Sequence, residues 1–144
     1  MNTILHIGLG SFHRAHQAVY LHRLRESGDR SWRIVGGNIR NDMATTMAAL
    51  AAQDGVYTLE TITPAGERAY ERVTSIERVI AYTPDLAGLI AAGADASTRI
   101  VSFTVTEAGY TLDAHDVLDV SAPDIADDLA HARRGEAGRT IYGA

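Results

Sequence analysis

The amino-acid sequence of 144 residues contains neither cysteine nor lysine. Without cysteine the chain can form no disulfide and carries no thiolate nucleophile, and this composition fits a cytoplasmic location. All 13 basic residues are arginine, which a coding bias toward alanine and arginine explains. The chemical consequence stands regardless: these residues supply no lysine general base, no Schiff-base lysine and no P-loop lysine.

Aromatic residues, net positive charge and long apolar runs are also scarce. Aromatic side chains make up 6% of the chain, so the core has to be built from aliphatic residues. The formal net charge of -5 argues against a nucleic-acid partner, because nucleic-acid binders display a basic face. No apolar run is long enough to cross a bilayer, so we expect no membrane partner either. The length of 144 residues suits one domain, and the hydrophobic share of 46% indicates a globular rather than a disordered or fibrous chain.

Strand-like and helix-like segments alternate along the chain. Buried strands are predicted at residues 3–8, 33–38 and 99–106, and residues 56–80 are predicted to form an antiparallel hairpin. Helices are predicted at residues 15–25, 43–53, 84–92 and 122–134, the last capped by Ser121. The pattern predicts an α/β fold, a parallel sheet with helices on both faces and a hairpin insertion. It is incomplete, because a full dinucleotide-binding fold uses about six strands.

A glycine-rich turn follows the first predicted strand and reads GLGSFH over residues 8–13. Gly8 permits a tight turn, and Gly10 lets the backbone approach a pyrophosphate with no Cβ in the way. The amides of Ser11, Phe12 and His13 would then face the anion at the start of the next helix. A plain structural turn is the alternative, because His13 stands where the third glycine of the fingerprint is expected.

The histidines around this turn raise the alternative of a metal site. His13 and His16 have an i, i+3 spacing, and His6 and His22 lie nearby in the sequence. No cysteine or carboxylate completes a ligand set within this stretch. The pattern therefore favours histidines with structural or solvent-facing roles, and no metal is expected.

A carboxylate after the second strand is the next requirement of a dinucleotide site, because it accepts hydrogen bonds from the adenosine ribose. Asp42 has the right place in the topology, although it lies further along than the usual spacing of about 20 residues. Capping of the following helix explains Asp42 equally well. The neighbouring Arg40 could hold a 2′-phosphate instead, so the sequence favours NAD over NADP only mildly.

Thr106 and Glu107 follow the most strand-like segment of the chain. Ligands of open α/β sheets bind outside the carboxyl ends of the strands, so Glu107 could face the nicotinamide ribose or the substrate. An exposed loop acid is the alternative for Glu107, because most glutamates are exposed.

Four segments of the chain together resemble one enzyme family, and they read GLGSFHRAHQAVYLHRL, QDGVYTL, RIVSFTVTEAGY and RTIYG. They are similar to the long-chain polyol dehydrogenases, the mannitol dehydrogenase family, and the first loop is most similar to the D-arabinitol 4-dehydrogenases. The resemblance implies a Rossmann-like cofactor domain in an oxidoreductase of carbohydrate metabolism. It also implies oxidation of a sugar alcohol, of D-arabinitol or mannitol type, to a ketose by hydride transfer to NAD without a catalytic metal.

The resemblance assigns roles to particular residues of this chain. Gly8, Gly10, Phe12 and His13 match the loop pattern of the family, with Ser11 beside them at the pyrophosphate. Asp42 takes the place of the NAD-selecting aspartate, and Thr106 and Glu107 line the nicotinamide end.

The catalytic lysine of the family belongs to a helical C-terminal domain that residues 1–144 do not contain. We therefore expect residues 1–144 to be a truncated N-terminal dinucleotide-binding domain that binds NAD, holds no catalytic residue and is inactive alone. We also expect self-association, because a parallel sheet cut short exposes an edge. The alternative is a stand-alone, non-catalytic nucleotide-binding or interaction module.

Overall fold

A computed structural model describes the backbone of residues 1–144 and every side chain except those of Glu107 and Ala108. Its elements follow in the order β1 (Asn2–Ile7), α1 (Ser11–Ala15), α2 (Gln17–Glu26), β2 (Trp32–Gly37), α3 (Ala44–Ala52), β3 (Tyr57–Ile62), β4 (Arg68–Val73), β5 (Ile76–Val79), α4 (Ala87–Ala94), β6 (Thr98–Phe103), a 3-10 helix (Glu107–Tyr110) and α5 (Pro123–Ala132). Among the described helices, none combines the length and the hydropathy needed to traverse a lipid bilayer.

The central sheet has the strand order β5-β2-β1-β6, and all its pairs are parallel. Ile4 of β1 lies opposite Ile34 of β2 and Ile100 of β6. Because the strands are parallel, their carboxyl ends meet at one edge of the sheet. The predicted α/β fold and the three predicted parallel strands are confirmed.

The hairpin is shorter than predicted, because β5 belongs to the parallel sheet. β3 pairs antiparallel with β4 from Tyr57 opposite Val73 to Ile62 opposite Arg68, so the prediction of one hairpin over residues 56–80 is wrong beyond Val73. Ser75 ends the hairpin: its hydroxyl donates to the Ala18 carbonyl at 2.6 Å, and its own carbonyl accepts from the Ile34 amide. These bonds carry the chain across to the edge of β2.

Apolar side chains are buried on both faces of the sheet. Successive residues of a strand point to opposite faces, so Ile4 packs toward α2 and α3 while Leu5 packs toward α4. The first face is filled mainly by Leu9, Ala18, Val19, Leu21, Ile34, Leu50, Val73 and Ile76, and the second by Val35, Ile80, Leu86, Leu89 and Ala92. The predicted helices on both faces are confirmed.

Several helix ends differ from the predicted ones. The predicted helix at residues 15–25 begins earlier, at Ser11, and breaks at His16 into α1 and α2. α4 begins only at Ala87, because Leu86 adopts a left-handed backbone with φ 52°. The prediction that Ser121 caps the last helix is wrong: no side chain caps α5, and the Ser121 hydroxyl donates to Asp119 instead.

Candidate functional site

A cleft of about 550 Å³ lies at the carboxyl ends of β1, β2 and β6. This is the edge at which open α/β sheets bind ligands. Six predicted site residues line it together: Gly8, Gly10, Phe12, His13, Asp42 and Thr106. Ser11 starts α1 with its side chain exposed and does not line the cleft. The side chain of Glu107 lies outside those that the structure describes.

The two glycines of the turn differ in what they contribute to the fold. Gly8 has φ +100°, a backbone conformation that strains any other residue. Gly10 has φ -69° and ψ 177°, which any residue can adopt, and a Cβ added to it would meet no atom within 4 Å. The fold therefore requires glycine at position 8 but not at position 10.

Leu9, between the two glycines, anchors the turn to β2. Its side chain is fully buried and lies over Gly36, where a Cβ would come within 2.5 Å of Leu9 Cδ2. The Leu9 amide donates to Asn38 Oδ1 at 3.0 Å. The turn is thus held to β2 and its end by the contact of Leu9 with Gly36, by the buried bond to Asn38 and by the bond from the Gly8 amide to the Gly37 carbonyl.

His13 is buried beneath the turn rather than exposed at the helix start. Its ring stacks on the ring of His6 with centroids 3.6 Å apart and planes inclined by 17°. His6 Nδ1 lies 2.9 Å from Ser102 Oγ, and His6 Nε2 lies 3.2 Å from Thr104 Oγ1. Neither ring nitrogen of His13 has a hydrogen-bond partner among the described residues.

Both stacked imidazoles are held in the neutral form. Burial lowers the pKa of His6 to about 4. Burial, followed by repulsion from a charged His6, lowers the pKa of His13 to about 3, and Arg14 acts in the same direction. The nearby side chain of Gln17 acts in the opposite direction and raises the pKa of His13. It does not form a hydrogen bond of normal geometry with either ring nitrogen.

The histidines do not converge on a common point. His16 lies outside the stacked pair, with its ring packed on Phe12 at 4.2 Å between centroids. Within the described side chains, no group of three or more histidine, cysteine, aspartate or glutamate residues could hold a metal ion.

Asp42 and Arg40 lie on the far rim of the cleft, after β2. Both side chains are exposed. The interpretation of Asp42 as a helix cap is wrong, because α3 begins after Met43 and no side chain caps it. The carboxylate of Asp42 on the rim therefore does not cap α3.

A turn near the end of the chain closes one side of the cleft through Thr140 and Ile141. Asp128 of α5 holds this turn, because its carboxylate accepts hydrogen bonds from the amides of Arg139 and Thr140 and from the Thr140 hydroxyl. Burial opposes ionisation of Asp128, but these hydrogen bonds outweigh it and keep its pKa below the ordinary value.

Residues 2–141 match the family model described as the mannitol dehydrogenase Rossmann domain. The chain belongs to the mannitol dehydrogenase family. It is 61% identical over 145 residues to D-arabinitol 4-dehydrogenase of Ralstonia nicotianae, a match covering 99% of this chain and 30% of that relative. The D-arabinitol 4-dehydrogenase of Klebsiella pneumoniae is 55% identical over 98% of this chain, again 30% of the relative.

A solved member of the mannitol dehydrogenase family has the same fold. The mannitol 2-dehydrogenase of Pseudomonas fluorescens, in a ternary complex with NAD and D-mannitol, superposes with a TM-score of 0.87 and 33% identity. The match covers 99% of this chain and 29% of that chain, so the chain spans just under a third of the relatives it matches. The resemblance stated from the sequence is confirmed, and the comparisons give no support to a stand-alone module.

Sequence reasoning missed three residues that shape the cleft of this family member: Asn38, Asp128 and Thr140. Asn38 directly follows β2, and a buried polar residue at the carboxyl end of a strand is a signal that could have found it. Thr140 lies within RTIYG, one of the segments that carried the family resemblance. Nothing in the local pattern points to Asp128, because its partners lie eleven and twelve residues further along the chain.

Proposed function

We propose that this chain is the NAD-binding part of a polyol dehydrogenase that oxidises a sugar alcohol, of D-arabinitol or mannitol type, to a ketose. Family membership supports the reaction class. The two similar D-arabinitol 4-dehydrogenases and the mannitol 2-dehydrogenase complex with NAD and D-mannitol support the cofactor and the substrate class.

The single observation that carries the cofactor proposal is the open space above Gly10. A glycine is required neither by the backbone at this position nor by any neighbouring atom. Glycine is accepted at the N-cap of α1, but an N-cap does not require it, so the property that only glycine brings here is room for the close approach of a ligand. The space opens into the cleft at the carboxyl ends of the strands, where a pyrophosphate would meet the backbone of the turn.

The roles we propose follow the course of the cleft. The backbone of Gly8, Gly10, Ser11, Phe12 and His13 holds the pyrophosphate, and Asp42 accepts hydrogen bonds from the adenosine ribose. An exposed carboxylate at this rim repels a 2′-phosphate, which favours NAD over NADP. Thr106 and Glu107 face the nicotinamide end.

When bound, NAD accepts the hydride from the carbinol carbon, and the protein groups orient the reactants and take up the hydroxyl proton. The chain has no lysine, and we assign no catalytic residue to it. We propose that the proton-accepting base lies in the part of the enzyme that residues 1–144 do not span, in a C-terminal helical domain.

The experiment that tests the cofactor site is calorimetric titration of the chain with NAD, comparing G10A with G93A. A Cβ at Gly93 meets only Leu5 Cδ2, at 3.7 Å, and Gly93 lies in α4, away from the cleft. We expect G10A to have a free energy of unfolding within about 0.5 kcal/mol of the parent's. G93A, at an exposed helical position, should be more stable than the parent by up to about 1 kcal/mol, because alanine favours the helix over glycine. G10A should lose NAD binding by at least about tenfold, whereas G93A should bind like the parent.

Equal NAD affinity in G10A and the parent would contradict the pyrophosphate site. The ribose contact is tested by D42A. This variant should bind NAD more weakly than the parent and should lose the preference for NAD over NADP. The isolated chain should not reduce NAD with D-arabinitol or D-mannitol. Turnover by this chain would overturn the assignment of the base to another part of the enzyme.

We further propose that the chain self-associates through the outer edge of β6. β6 is an edge strand of the described sheet, and its side chains Ile100, Val101 and Phe103 are about half exposed. Such edges pair with other chains. Light scattering after size exclusion should show dimers or larger species, which V101E disperses and V117E, an exposed control off the sheet, does not. A monomer at all concentrations would refute the proposal.

A further inference from the structure

The His6–His13 stack connects three elements beneath the cleft. His6 belongs to β1 and pairs in register with Ser102 of β6, and its two ring nitrogens lie next to the hydroxyls of Ser102 and Thr104. His13 belongs to α1 and rests on the other face of the His6 ring. A continuous path therefore runs from the glycine turn, through two imidazoles, to the end of β6.

The contact surface of the His13 ring, and not its hydrogen bonding, is what the fold uses. The side chain is 1% exposed, yet both of its nitrogens are unpaired among the described residues. An unpaired buried polar group costs free energy, so the favourable contribution of the ring comes from its stacked face. In the dinucleotide fingerprint, the third glycine allows the helix to pack closely on the strand. Here an aromatic ring separates α1 from β1.

We propose that the His6–His13 pair is the positioning element of the cofactor cleft: the stack sets the height of the glycine turn above β1 and fixes it relative to Thr104. The two residues act through the turn and through β6, and they are positioning residues, not catalytic ones. This inference rests on the proposed NAD site. The stack is the part of the fold that holds the two sides of the cleft, the glycine turn and Thr104, at a fixed distance from each other.

Hydrogen exchange of the free 144-residue chain tests the positioning without any cofactor. The reporters are the amide of Leu9, bonded to Asn38 Oδ1, and the amide of Thr104, bonded to the Ile7 carbonyl. In H13A both amides should exchange faster than in the parent, while β3 and β4 keep their protection. H13F, which restores a planar ring without nitrogens, should restore both, and H115A, at an exposed histidine, should change neither. Faster exchange at Leu9 alone, or at neither amide, would overturn the inference.

Titration with NAD then separates positioning from direct contact. H13A should bind about three- to tenfold more weakly, the range expected for the loss of one aromatic pair. H13F should recover most of this affinity. The double variant of H6A and H13A should bind no more weakly than the worse single variant, because both changes break one contact. If H13F restores protection but not affinity, a ring nitrogen touches the cofactor and the positioning role is refuted. If the parent binds no NAD, the proposed function fails, while the exchange experiment still decides the inference.

Discussion

Leu9 lies directly over Gly36, with its Cδ2 and Cγ 2.5 and 2.8 Å from where a Cβ of residue 36 would be. Gly36 of β2 thus provides the space in which Leu9 anchors the glycine turn. The position of the turn therefore depends on a residue of β2, outside the glycine-rich stretch of residues 8–13.

The Leu9–Gly36 contact predicts a non-additive pair of substitutions. G36A should destabilise the fold by about 1–3 kcal/mol through overpacking, and L9A by about 2–5 kcal/mol through the cavity it leaves. In the L9A background G36A should cost markedly less, because the two nearest atoms, Cδ2 and Cγ of Leu9, are gone and the His6 carbonyl oxygen at 3.0 Å remains. Urea unfolding of the parent, the two single variants and the double variant measures this, and additive values would contradict the contact.

The neutral histidine pair predicts loss of stability in mild acid. In the fold the pKa is about 4 for His6 and about 3 for His13, against the ordinary histidine value of 6.5. Between these values the unfolded chain binds protons that the folded chain does not, so stability is full above pH 6.5 and falls as the pH drops below it. At pH 5 the loss should be about 2 kcal/mol for each imidazole.

Urea unfolding between pH 7.5 and 4.5 measures the acid effect. H13F removes one of the two titrating groups and should show a shallower decline over this range. H115A retains the pair and should follow the parent. A parent stability that stays constant from pH 7 to pH 5 would refute the burial of two neutral imidazoles.

The Asp128 carboxylate predicts a local effect on the cleft. D128N should lose about 2–4 kcal/mol of stability, because an amide nitrogen replaces one of the two acceptor oxygens that the turn requires. Exchange of the Arg139 and Thr140 amides should accelerate most. The neighbouring D127N, whose half-exposed carboxylate forms surface ion pairs with Arg139 and His131, is the matched control and should change stability by less than about 1 kcal/mol. Equal effects of the two changes would argue against the bonded turn.

Tyr57 links the hairpin to α1, the helix that follows the glycine turn. Its hydroxyl donates to the Arg14 carbonyl at 2.5 Å, and burial raises the pKa of Tyr57 to about 12, so the donor proton stays in place at neutral pH. Y57F should cost about 1–2 kcal/mol in urea unfolding. Y70F, at an exposed tyrosine bonded to Glu60, should cost much less, and a reversed order would contradict the link.

Local patterns predicted the parts of the fold whose partners lie close in sequence or repeat a known spacing. β1, the glycine turn and β2 follow from an apolar run, two glycines and a second apolar run. The sequence places β5 in the hairpin, because an extended segment has the same alternation whichever strand it pairs with. β5 lies beside β2 because Ser75 forms hydrogen bonds with Ala18 and Ile34. No local sequence pattern predicts these two bonds.

The candidate site was predictable where topology alone brings residues together. Gly10, Asp42 and Thr106 reach one cleft because parallel strands end at one edge of the sheet. The burial of His13 was not predictable, since its environment is created by the His6 ring across the space between α1 and β1. A histidine in the third-glycine position has no fixed meaning until its contact is known.

The hairpin contacts the rest of the domain at its root, and its tip is exposed. Tyr57 bonds to Arg14, and Val73 opposite it is fully buried, whereas residues 63–67 at the tip are all exposed. None of the cleft-lining residues belongs to the hairpin. Exposed loop tips tolerate insertions best, so the tip offers an attachment point for a fluorophore or an affinity peptide between Pro64 and Gly66. A probe grafted there would report on the domain or immobilise it while leaving the cleft at the carboxyl ends of the strands unobstructed.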